Sequence, residues 1–152
     1  MPVTRAHKIL LVGTALMLGW AAWGAYRVYY TYAHIPEAYA AWDTGTLLVE
    51  FMKAHEGHWP SSWDDLLTVM DSESGQKIVL RGAGAGDMRY AKSLREKIRV
   101  DWSFDPTHPD AKNPVTRLDG SPFPIVWEEP NDMVRYYLHA RAVRRSSTAP
   151  DS

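Results

Sequence analysis

Residues 9–26, ILLVGTALMLGWAAWGAY, are eighteen positions without a charge, bracketed by Lys8 and Arg27. As a helix rising 1.5 Å per residue, the segment sets the two cations roughly 28 Å apart, close to the roughly 30 Å hydrocarbon thickness of a bilayer. Trp20, Trp23, Tyr26, Tyr29, Tyr30 and Tyr32 crowd its C-terminal end, where an aromatic belt would meet the headgroups. The pattern predicts a transmembrane helix over 9–30, after a cytoplasmic N-terminus at 1–8. A buried helix of a soluble protein does not account for this belt. A cleaved signal peptide is the competing reading, although signal cores are usually about 7–15 residues. Arg5, Lys8 and the amino terminus precede the segment, and only Arg27 follows nearby. The positive-inside rule therefore predicts a cytoplasmic N-terminus and an extracytoplasmic remainder, periplasmic in a two-membrane bacterium. Ala15 with Gly19, and Ala21 with Ala25, are small residues four apart, a spacing that lets a second membrane helix approach.

Beyond Pro36 the period becomes that of an amphipathic helix: Leu48, Met52 and His55 share a stripe, Leu47 and Phe51 lie beside it, and Glu50 and Lys53 point away. Proline at 36 permits either a separate helix or a bend in one long helix. Gly57 follows the last periodic residue, Pro60 blocks continuation, and Ser61-Ser62-Trp63-Asp64-Asp65 offers caps for a second helix entering Leu66 and Leu67. This predicts a helical corner with Gly57, Trp59, Pro60 and Trp63 in structural roles. A short strand is expected over 77–80, then a Gly/Ala loop, then a helix capped by Asp87. Strict alternation over 99–105 predicts a strand burying Val100, Trp102 and Phe104, and 123–128 reads as its partner ending at Trp127. Residues 131–140 are consistent with either a last helix capped by Asn131 or a third strand beginning there and running through Met133 to Leu138. A disordered polar tail is expected over 141–152. Together these elements predict an α+β fold: a single transmembrane helix, then an amphipathic helix and short helices on a small antiparallel sheet over 31–140.

Composition adds little chemistry. Seventeen basic and eighteen acidic side chains nearly cancel, so no net field argues for nucleic acid. The absence of cysteine excludes disulfides, thiolate metal sites and cysteine nucleophiles. His55 and His58 flank Glu56, but zinc proteases place two histidines four apart on an uninterrupted helix, whereas here the spacing is three and Gly57 intervenes. The expectation is no metal and no cofactor; the candidates, were a metal present, are His55, His58, Asp105 and His108. The loop 105–119 carries oxygen donors at Asp105, Thr107, Asp110, Asn113, Thr116 and Asp119 without the spacing of an EF-hand. RGAGAGD lacks the third glycine of a dinucleotide fingerprint.

The succession of membrane helix, amphipathic helix, Gly57-His58-Trp59-Pro60 and an α+β end resembles the type IV pilins and the pseudopilins of type II secretion, most closely over 46–66. Their processing junction, Gly before Phe or Met with Glu beyond, does not occur in KILLVGTALM. The resemblance implies a non-enzymatic, membrane-anchored domain that meets other membrane proteins or copies of itself. The rival readings are a membrane-tethered metal-dependent hydrolase using His55 and His58, and a secreted binding domain released by cleavage of the N-terminal segment.

Overall fold

The computed structural model describes residues 5–148, with side chains from Val12 to Ser147. The chain adopts an α+β fold of two units that divide between Ile35 and Pro36. One helix, α1 (Arg5–Ala54), runs through both, with Pro36 inside it. The proline that left two alternatives open thus sits within a continuous helix.

Among its described residues the first unit is helix alone. Its large apolar side chains stand exposed, Met17 and Trp20 each at 77% and Tyr29 at 72%. Arg27 lies over the Trp23 ring, 5.5 Å from its centroid. Among the described residues no helix is long and apolar enough to cross a membrane, so the membrane-spanning reading of 9–30 lacks the support that the α+β class receives. Ile9, Leu10 and Leu11, the most apolar turn of the run, precede the described side chains.

The second unit is built on the rest of α1. Leu47, Leu48, Phe51 and Met52 are buried on its inner face, as the period predicts, whereas His55 lies at the helix end and is exposed. After the corner come α2 (Trp63–Leu67), two short 3-10 turns, the hairpin β1 (Val79–Leu80) with β2 (Gly84–Ala85), and α3 (Met88–Ser93). Then β3 (Ile98–Val100) pairs antiparallel with β4 (Val115–Arg117), Val100 opposite Val115, and α4 (Pro130–Thr148) closes the fold. The core gathers α1, α2, β1, β3, β4, Leu94 and the inner face of α4 around Leu48, Leu66, Ile98 and Val134.

Several sequence expectations need correction. The described residues form two sheets of two strands rather than one. The strand expected over 99–105 ends at Val100, because the Asp101 carboxylate accepts from the Ser103 amide at 2.9 Å and turns the chain. Val100 and Phe104 are nevertheless buried, and Trp102 packs against the core. Residues 123–128 form no strand; Pro122 and Pro124 lack the amide protons a ladder needs, and the partner of β3 is the three-residue β4. Trp127 is 53% exposed and rests on Tyr39 with centroids 4.6 Å apart. The expected polar tail from 141 is helical as far as Thr148.

Candidate functional site

The corner after α1 carries His55, Glu56 and His58, and its geometry follows from the end of a helix. The amide of Gly57 donates to the Met52 carbonyl at 2.7 Å, a bond that closes the last turn by six residues. Glu56 occupies the left-handed position with φ 53°, and Gly57 follows with φ 81°. A glutamate there is strained where glycine is not. The orphan carbonyl of Glu56 accepts from the Arg141 guanidinium of α4, which supplies both a donor and a cation to the negative end of α1.

The two histidines complete this corner. The His55 Nδ1 lies 2.9 Å from the Phe51 carbonyl oxygen, and the His58 Nδ1 lies 2.6 Å from that of His55. A carbonyl only accepts, so each Nδ1 carries the proton and Nε2 is left outward. The His55 ring stacks on Phe51 with centroids 4.0 Å apart. His55, His58, Glu56 and Asp65 share a shallow recess of about 410 Å³, yet among the described residues no three His, Asp or Glu side chains form a group that could hold a metal ion. Trp59 donates from Nε1 to the Asp101 carbonyl at 2.9 Å and packs on Phe104. Pro60 is buried, and Trp63 meets Trp102 edge to face at 5.5 Å.

His108 and Asp105, the other candidates, pair with each other at 2.9 Å within their own loop. Thr107 donates to the same carboxylate, which its hydrogen bonds from Thr107 and His108 hold down to about 2. Asp119 is likewise lowered by bonds from Ser121, and Asp110 faces His139 at 3.3 Å and Arg135 at 3.8 Å. These oxygens close turns and bridge to α4, as Asp and Asn in turns commonly do. A cleft of about 900 Å³ lies between this loop, Glu56 and the C-terminal part of α4, with His108, His139, Arg141 and Arg145 on its walls. Its polar groups are of both signs, and Arg141 and the two histidines are committed to the contacts above.

A polar cluster the sequence reading did not name lies on the inner face of α1. Asp43 and Thr44 are fully buried. The Asp43 carboxylate accepts from the Arg81 amide at 2.6 Å, the Gly82 amide at 2.9 Å and the Tyr90 hydroxyl at 2.9 Å, so it pins the β1–β2 turn and α3 to α1. Burial, and then the Asp43 charge, push the Tyr90 phenol well above its ordinary value. The Arg81 guanidinium lies 4.8 Å above the Trp42 ring. The signal was present in the sequence: Asp43 is four residues before Leu47, on the apolar stripe.

Ala15, Gly19, Ala21 and Ala25 lie on the exposed helix of the first unit, with open space around the Cα of Gly19. Compared with protein-family models, with characterised proteins and with solved structures, the chain matches none.

The corner yields one direct test. An added Cβ at Gly57 would lie 2.6 Å from the Arg141 Nε at a positive φ, so Gly57→Ala is expected to cost about 2 kcal/mol in urea unfolding. Arg141→Ala is expected to cost about 1 kcal/mol, and His55→Ala with His58→Ala less than either.

Proposed function

We propose that the chain is a single-pass membrane protein, N-terminus in the cytoplasm, whose extracytoplasmic α+β domain is a non-catalytic interaction or assembly module, pilin-like in build. The observation that carries this reading is the exposure along residues 12–32 of α1: ten large apolar side chains from Val12 to Tyr32 are more than half exposed. So large a continuous apolar surface on one helix is costly in water and calls for a covering medium. The uncharged run before Arg27 and the aromatic belt fit a bilayer. In the domain, His55, His58, Asp105, His108, Asp110 and Asp119 are used at a corner, in a turn or in a bridge to α4, which supports a module that binds rather than reacts.

Membranes from cells making the full chain, extracted with alkaline carbonate, test it. The protein should stay in the pellet with the intact mass of an unprocessed chain, and protease added from outside should remove the domain. Release into the supernatant, a mass lacking the N-terminal segment, or protection of the domain would overturn the reading.

A further inference from the structure

The core-facing side of α4 carries Val134, Tyr137 and Leu138. A second apolar stripe runs along its outer side: Met133, Tyr136, Ala140 and Val143 recur at helical spacing. Tyr136 is 79% and Val143 66% exposed. Beside the stripe, α4 and α1 leave a groove of about 630 Å³, floored by Val49, Met133, Tyr137 and Ala140 and reached by Tyr136.

The two helices run side by side in the same direction. Gly45 meets Pro130 and Met133, the Tyr137 hydroxyl donates to the Met52 carbonyl at 3.1 Å, and Arg141 reaches Glu56. The rim of the groove is sorted by charge along that direction. Glu128 and Asp132 stand at the N-terminal end of α4 and Arg144 near the other, roughly 18 Å beyond Asp132 at 1.5 Å per residue, while Lys53, next to Met52, lies between them about level with Leu138. Lys53 bridges Glu50 at 2.6 Å and Asp132 bridges Arg135 at 3.0 Å, but exposed pairs of this kind contribute little and re-partner readily.

We propose that this groove, resting on the interaction-module reading above, docks one amphipathic helix of a partner protein, laid antiparallel to α1 and α4. The orientation follows from charge. An antiparallel helix sets its first turns along Arg144 and Lys53 and its last turn beside Glu128 and Asp132. Acidic residues in a first turn and basic residues in a last turn suit a helix's own dipole, so the same residues complement both rims. Apolar side chains of the partner at i, i+3, i+4 and i+7 meet the stripe, the helix-in-groove mode of recognition.

The probe is a designed helical peptide of about fourteen residues with leucines at those positions, glutamates in its first turn and lysines in its last. A second peptide of identical composition has the charged turns exchanged. Binding to the full chain, in lipid nanodiscs or in plain buffer if carbonate extraction shows it to be soluble, is read by fluorescence anisotropy. The acid-first peptide should bind at least about tenfold more tightly than the exchanged one. Tyr136→Glu should abolish its binding with the thermal melt unchanged, and Lys53→Glu with Arg144→Glu, which leaves acids at both ends of the groove, should remove the preference. Equal affinities, no binding, or indifference to Tyr136→Glu would overturn the proposal. So would a dimer of the full chain that Tyr136→Glu dissociates, since a second copy would then occupy the groove. Carbonate extraction reports on the anchor alone, so failure of the groove and failure of the anchor are separable.

Discussion

Asp43→Ala is expected to lower the unfolding free energy by about 3 kcal/mol, because it strips three donors of their shared acceptor. The carboxylate sits at zero exposure on α1 and accepts from Arg81, Gly82 and Tyr90. Alanine also leaves a gap that the rigid helix backbone cannot close. Asp43→Asn keeps one acceptor oxygen and should cost about half as much, since one amide NH2 then faces a donor. Tyr90→Phe removes a single bond, worth about 1 kcal/mol. If Asp43 acts through these partners, the double variant Asp43→Asn, Tyr90→Phe should cost less than the sum of the two. Strict additivity would mean that the hydroxyl and the carboxylate are not coupled.

The same cluster sets an alkaline limit. The Tyr90 phenol is raised above its ordinary value of 10.0 by burial and by Asp43, so the folded state keeps a proton that the unfolded chain releases. Its contribution is therefore fully present below pH 10 and is lost as the pH rises beyond it. Thermal melts at increasing pH above 10 should fall more steeply for the natural chain than for Tyr90→Phe. Parallel curves would assign the alkaline loss to other groups.

How far the sequence discloses this fold depends on the range over which each signal acts. Local signals read well: the 3.6-residue period of α1, the end at Gly57, the Ser62 cap of α2, whose side chain accepts from the Asp65 amide at 3.1 Å, and the Asp87 cap of α3, which accepts from Tyr90 at 2.9 Å. Pairing did not. β4 is three residues long inside a proline-rich loop, too short for alternation to register, while 123–128 has strand-forming side chains but prolines where amides are needed. The candidate chemistry at His55 and His58 was legible as a corner because glycine and proline punctuate it. Asp43 was missed for a different reason: a carboxylate on an apolar stripe is informative only once its partners, about forty and more residues away in sequence, are known to meet it.

Asn131 makes the second large prediction, and it concerns the edge of the β3–β4 sheet. Val100 and Val115 face each other as a pair whose amides point away from one another: the bond beside them runs from the Asp101 amide to the Pro114 carbonyl. The outward groups of Val115 would be orphans in a site where Val115 is only 1% exposed. Asn131, itself 1% exposed, takes the place of a third strand. Its Oδ1 accepts from the Val115 amide at 2.8 Å and its Nδ2 donates to the Val115 carbonyl at 3.0 Å. Glu129 holds the amide in that orientation by accepting from Nδ2 at 2.7 Å, while its other oxygen caps α4 through the Asn131 amide at 2.7 Å. Asn131→Ala leaves two buried backbone groups without partners and should cost about 3 kcal/mol. Asn131→Asp keeps the acceptor, loses the donor and sets a second negative charge against Glu129, so it should be no better at neutral pH and should recover in acid. Hydrogen exchange distinguishes this role from mere space filling: the Val115 amide should lose protection in Asn131→Ala by far more than amides elsewhere in the core. Uniform loss across the core would mean that the side chain only fills volume, and unchanged exchange at Val115 would mean that it does not pair with the strand.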